Sequence, residues 1–321
     1  MRRKMQFIAK KAARFILIAI AVSALTFFMV NLLPGDIAHI IGGGDATPET
    51  IEAIRKDLGL NHSIMVRYFI WLGHVAQGDL GRSYLTHESV FETIAARLPV
   101  TLELLIVSQT IALLLALPTG IVSAHRNGSL FDRFFSGIGF ATLSIPGFVM
   151  ALLTIYLFSV HLRWLPATGY SPLSAGLGAN LESFILPGLS IAMIEWVVLM
   201  RVLRSDMITT LQQNFILMAR AKGLPTWKVL LKHALKPSSF TLITILGIHV
   251  GRYLGEAVIV ETIFALPGIG RLLIQSIYSR DYQMVQGCVL FITIGYVAVN
   301  ALVDLSYALL DPRIRLERAH G

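Results

Sequence analysis

The sequence predicts an all-α integral membrane protein with six transmembrane helices, on three observations. Of its 321 residues 55% are hydrophobic and only 14% charged, and the mean hydropathy is +0.69, whereas a soluble domain carries about 25% charged residues. Six stretches approach the roughly 20 apolar residues that a bilayer requires: about 14–33, 99–124, 134–160, 184–203, 239–261 and 284–310. Lys and Arg concentrate in alternate connections between those stretches, the asymmetry that orients membrane proteins.

The first stretch follows a basic start, as a secretory leader would. However, Leu33-Pro34-Gly35-Asp36 lacks the small-x-small cleavage pattern, and the run is as long as a full span, so it reads as a retained helix. Residues 34–98 form an extracytoplasmic subdomain. Thr47-Pro48-Glu49-Thr50 opens a helix there, with Ile51, Ile54 and Leu58 at helical spacing and Gly59 as its stop. Tyr68 to Leu72 make a second apolar segment, and Gly42-Gly43-Gly44 and Gly78-Asp79-Leu80-Gly81 read as turns. Residues 99–310 then carry the other five apolar stretches. The fourth contains Glu195 and Trp196, so it is either short or partly shielded from lipid by its neighbours. Residues 311–321 form a tail.

Arg2, Arg3, Lys4, Lys10, Lys11 and Arg14 precede the first span, Arg126 and Arg133 lie between the second and third, and Arg313, Arg315 and Arg318 follow the sixth. These segments, and both termini, are therefore expected in the cytoplasm. The connection at about 212–237 joins them. Its core, Phe215 to Pro237, interleaves Arg220, Lys222, Lys228, Lys232 and Lys236 with apolar residues. It reads as two short helical pieces broken at Gly223-Leu224-Pro225. Gly223 permits a left-handed cap, Pro225 can start the second piece, and Thr226 caps it or begins its first turn. An amphipathic pair of this kind needs a partner for its apolar face.

The net charge of +8 sits beside the spans and not on one face with stacking aromatics, which favours membrane lipid and excludes nucleic acid. One cysteine, Cys288, excludes an internal disulfide and a multi-cysteine metal site. No Gly-rich phosphate loop with its Lys and Ser or Thr is present, so any ATP hydrolysis must occur on another chain. Gly188-Leu189-Ser190 only superficially resembles a nucleophile elbow, because the pattern fails at Ala192. With His249 on another span it makes a coincidence, and no catalytic residue is assigned. Ionisable residues within spans are more informative: Glu195, Arg201, His249, Arg252, Glu256 and Asp304. His249, Arg252 and Glu256 share a helical face. They form either a polar stripe lining a pathway or, through Arg252 and Glu256, an ion pair that stabilises packing. Gly247, Gly251 and Gly255 suggest that the adjacent face packs closely against another helix.

Ala219-Arg220-Ala221-Lys222-Gly223-Leu224, followed by His233-Ala234-Leu235-Lys236, resembles the cytoplasmic coupling loop of permease subunits of ATP-binding-cassette importers of the dipeptide, oligopeptide and nickel group. Ordered matches run along nearly the whole chain: Thr101-Leu102-Glu103-Leu104, Ser144-Ile145-Pro146-Gly147-Phe148, Arg201-Val202-Leu203-Arg204-Ser205, Glu261-Thr262-Ile263-Phe264, Pro267-Gly268-Ile269-Gly270-Arg271, Arg280-Asp281-Tyr282 and Asp311-Pro312-Arg313. Departures are Asn214 before Phe215, Leu217, Met218 and Ala219 ahead of the glycine, Lys236-Pro237 and Gln283. The charges of Arg252 and Glu256 depart too and are read as tuning the substrate.

The resemblance implies a type I importer permease fold with an extra N-terminal helix. It implies a second homologous permease subunit, two ATPase subunits carrying ATP and Mg, and an extracytoplasmic solute-binding protein in a bacterial inner membrane. The chain itself would hold no cofactor and no metal. Residues 219–224 would couple to the ATPases, and His249, Arg252 and Glu256 would line the pathway. Cargo would be di- or oligopeptides, with nickel chelates, opines or glutathione as alternatives. The competing class is a self-sufficient channel or ion-coupled carrier.

Overall fold

The computed structural model describes the backbone of residues 2–31, 37–43, 46–57 and 59–310. Leu33-Pro34-Gly35-Asp36, Gly44, Leu58 and the tail from Asp311 lie outside the described residues, as do the side chains of Asp304 and of the basic residues up to Arg14. The helices are α1 (Arg2–Asn31), α2 (Ile37–Gly42), α3 (Pro48–Asp57), α4 (Ile64–Ala76), α5 (Val90–His125), α6 (Leu130–Leu143) and α7 (Gly147–Thr154). They continue as α8 (Leu177–Leu211), α9 (Asn214–Ala221), α10 (Thr226–Lys228), α11 (Leu235–Ile263), α12 (Ile269–Tyr278) and α13 (Tyr282–Leu310). Among the described residues the only β pairing is an isolated bridge between Arg82 and Ser89.

Among the described residues three helices are long and apolar enough to cross a bilayer alone: α5, α8 and residues Tyr282–Ala301 of α13. Two bent pairs raise the number to five if each counts as one span. The expected third span, 134–160, is one of them. It breaks after Leu143 and resumes at Gly147 at an angle of 109°, because Pro146, at φ −58° and ψ 144°, has no N–H to donate and drives its predecessor out of helical geometry. The other pair is Thr226–Tyr253 with Gly255–Ile263, bent by 60°. In α1 the described apolar stretch is Phe15–Asn31.

The chain divides into two compact units, Met1–Pro99 with Gly268–Val297, and Val100–Pro267 with Ala298–Gly321. In the first, Phe27 of α1 packs edge-on against Tyr68 of α4 at 5.4 Å, and both bury with Trp71 and Leu290. Val90 and Ile94 pack with Ile269, Leu272, Met284 and Cys288, which places the cysteine in the core. The turn at Gly78 to Gly81 closes through Asp79 Oδ1, which accepts the Gly81 N–H at 2.8 Å. Ser83 just beyond donates its hydroxyl to Asp281, so two motifs about 200 residues apart meet. Gln283 donates to the Leu80 carbonyl at 2.9 Å, and a Cβ at Gly81 would strike its amide. Gly42 lies inside α2 and not in the expected turn, which begins at Gly43 with φ +76°.

In the second unit α8 is the central element, and 72% of its most apolar window is buried. The fourth stretch is therefore the shielded one of the two readings, and it is long. Gly188 lets α5 approach, since a Cβ there would stand 2.8 Å from Val107 Cγ1. Polar side chains tie the unit. Thr101 of α5 donates to the fully buried Glu261 of α11 at 2.7 Å, and Arg204 of α8 grips Asp132 of α6 through Nε at 2.6 Å and Nη2 at 2.7 Å.

Candidate functional site

The segment from α9 through α10 is built as the sequence suggests, up to its exit. Gly223 takes φ +73°. The Leu224 N–H reaches back to the Ala219 carbonyl at 3.3 Å, and the Gly223 N–H to Arg220 at 2.9 Å, the paired bonds of a Schellman cap. Pro225 occupies the cap position at φ −65° and ψ 148°, not the first helical position, and Thr226 begins the first turn. The helix then widens. Residues Val229–Ala234 form a π turn in which the Leu235 N–H donates to Leu230, five residues back. The helix does not stop at Pro237, which falls in the first turn of α11. A widened turn is one way a helix accommodates a residue without an N–H.

This geometry sorts the side chains onto two faces. Ile216, Ala219, Val229 and Ala234 are buried in the core cluster around α8, with Leu224 packed against it. Phe215, Leu217, Met218, Trp227 and Leu231 are all about half exposed or more, interspersed with exposed Arg220, Lys222, Lys228 and Lys232. The Lys228 ammonium stands 5.4 Å from the Trp227 ring centre, a cation–π contact that keeps the indole in an electropositive setting. Of the six residues singled out from sequence, Ala219 faces inward, Leu224 is half-buried, and Arg220, Ala221, Lys222 and Gly223 are exposed. The exposed apolar side chains outside that motif were not among them. Their signal is their position on the face opposite Ile216 and Ala219.

His249, Arg252 and Glu256 are not brought together as one stripe. The segments Thr226–Tyr253 and Gly255–Ile263 are inclined to each other by 60°, and Arg252 and Glu256 lie on opposite sides of that division. His249 Nδ1 lies 3.2 Å from Glu195 Oε1 of α8, both side chains largely buried, while Gln109 Nε2 of α5 donates to Glu195 Oε2. Arg252 and Glu256 pair with each other at 3.2 Å, 65% and 44% exposed. The ion pair is present at its helical spacing, with both partners on an exposed surface. Gly255 borders no close neighbour, for a Cβ there would meet nothing within 4 Å, against the expected tight packing at that position. Arg201 lies over the Phe140 ring, 4.6 Å from its centre. The Ser190 hydroxyl donates to the Pro187 carbonyl at 2.7 Å and His249 is engaged by Glu195, so neither is poised as half of a dyad.

Family models match the sequence along most of its length. The family model of the binding-protein-dependent transport system inner membrane component matches residues 116–316, and that of the N-terminal part of such membrane components matches residues 4–105. A peptide transport system permease protein named in Brucella abortus (strain 2308) is 40% identical over 311 residues, 97% of this chain and 99% of that protein. The glutathione transport system permease protein GsiC of Escherichia coli O6:H1 is 33% identical over 311 residues, with the same coverage. In fold, the chain resembles one from a crystal structure of an amino acid ABC transporter with histidines, at a TM-score of 0.50 and 17% identity, covering 68% of this chain and 94% of that one. These relatives are transport components of membranes, not enzymes. The chain belongs to the family of inner membrane components of binding-protein-dependent transport systems, as an ATP-binding-cassette permease of the peptide type.

Proposed function

We propose that this permease forms half of the translocation pathway for di- or oligopeptides, or related small solutes, in a complex with a second homologous permease, two ATPase subunits and an extracytoplasmic solute-binding protein. In this reading six spans leave both termini in the cytoplasm, residues 34–98 lie outside, residues 99–310 form the core, and ATP and Mg are held by the partners. Residues Asn214–Ala234 receive the ATPase motion. The observation that carries the reading is the two-faced segment. Its inner face is anchored in the core around α8, so displacement of the segment moves that core, and its outer face leaves Phe215, Met218 and Trp227 exposed among cations. Apolar anchors ringed by positive charge suit a groove with an acidic rim. The cargo follows the printed names of the relatives. Arg252 and Glu256 stand on an open face where they can meet cargo.

Co-expression with candidate ATPases tests the assembly. The ATPases are expected to co-purify with the wild-type chain and to be lost from a Phe215→Ser, Trp227→Ser variant that still inserts in the membrane. Undiminished co-purification of that variant would remove the segment from the interface.

A further inference from the structure

The first unit contains a cavity of about 560 Å³, within the range of small-molecule sites. We propose that it binds a zwitterionic solute carrying an ammonium and a carboxylate on a partly apolar body, the chemistry of a short peptide. Two guanidiniums, Arg67 and Arg82, and the imidazoles of His62, His74 and His87 line it. Asp57 is the one carboxylate on its described wall, and Phe27, Ile54, Ile70 and Trp71 supply apolar surface. Arg67 is half-buried, and among the described residues no carboxylate pairs with it. Burial holds its guanidinium below the ordinary value, partly opposed by the phenol of Tyr84. A guanidinium removed from water and left without a counter-ion favours an anion in the adjoining space.

The wall behind the cavity surface is itself polar. Of the buried polar side-chain atoms without a hydrogen-bond partner among the described residues, three belong to residues that line this cavity: Trp71 Nε1, Tyr282 Oη and Gln286 Oε1. Each residue is more than nine-tenths buried, and such atoms cost about 1–3 kcal/mol each when unpaired. These atoms lie within the wall and do not face the space; the charged groups of the lining residues are Arg67, Arg82 and Asp57. The rim is preformed. His87 is held at φ 59° by its N–H to the Ser83 carbonyl at 3.1 Å, and Arg82 donates to the His87 carbonyl at 3.3 Å. No group of three metal-ligating side chains stands together among the described residues, so the histidines serve as a hydrogen-bonding wall.

The proposal concerns binding by this chain alone and stands apart from the coupling reading. Its test is equilibrium binding of the dipeptide Ala-Phe to the full-length chain in phosphatidylcholine nanodiscs, without ATPases, binding protein or ATP. Saturable binding is expected, weakened tenfold or more by amidating the carboxylate or by acetylating the amine. Arg67→Ala is expected to weaken Ala-Phe tenfold or more yet leave its amide unchanged, with Arg67→Lys in between. The ligand series needs no variant and so is independent of folding defects. Absence of saturable binding at millimolar peptide, equal binding of the amide, or displacement as effective by inorganic phosphate or by phosphatidylglycerol would each overturn the proposal.

Discussion

Asp132 is buried, and both its oxygens receive bonds from the half-buried Arg204, while the Gly128 N–H adds a third. Removing the cation strands a buried carboxylate, which costs about 3–5 kcal/mol. Arg204→Ala is therefore expected to lower the melting temperature of the purified protein sharply, and Arg204→Lys to recover only part, because an ammonium cannot span both oxygens. Glu195 and Glu256 offer the converse comparison. Glu195→Ala leaves Gln109 and His249 without their shared acceptor inside the second unit, at a cost of about 2 kcal/mol or more. Glu256→Ala breaks an exposed i,i+4 pair worth about 0.5 kcal/mol or less. Thermal unfolding of the two variants in the same detergent checks the order, and equal destabilisation would contradict the burial of Glu195. Arg252→Ala and Glu256→Ala should instead alter cargo selectivity or ATPase stimulation.

At the scale of elements, Gly188 and Gly255 make a pair of opposite predictions. Gly188→Leu drives a side chain into Val107 of α5 and is expected to reduce assembled, detergent-stable protein, by about 1–3 kcal/mol or more. Gly255→Ala meets open space and should be neutral or stabilising by some tenths of a kcal/mol. Fluorescence-detected gel filtration after heating distinguishes them. The same elements show what the sequence made legible. Hydropathy located every long apolar helix, and the Gly-Leu-Pro string located the cap of α9, because both depend on properties local to a few residues. The break at Pro146 had its local signal too, but span counting by length overrode it. What required the three-dimensional structure were pairings decided by distant neighbours: Thr101 with Glu261, Ser83 with Asp281, and Asp132 with Arg204. Helical spacing put His249, Arg252 and Glu256 on one face, yet it does not decide which partner each side chain finds. A carboxylate on α8 engages His249, while Arg252 and Glu256 pair with each other. Likewise, the motif string around Gly223 was legible, but which of its residues face outward was not, since Ala219 is buried by a core assembled from α5, α8 and α11.

For the whole molecule, the proposed coupling runs through one cap. Gly223 sits at φ +73°, where a β-branched residue is strained by about 1–2 kcal/mol. Gly223→Val should insert and express normally, retain its partners less firmly, and uncouple uptake from ATP hydrolysis. Uptake of a labelled dipeptide into proteoliposomes is the most direct test of ATP-driven coupling. The account predicts no concentrative uptake by the chain alone or with its permease partner, and ATP-dependent uptake once the ATPases and binding protein are present. Transport by the chain alone, driven by an ion gradient without ATP, would contradict it.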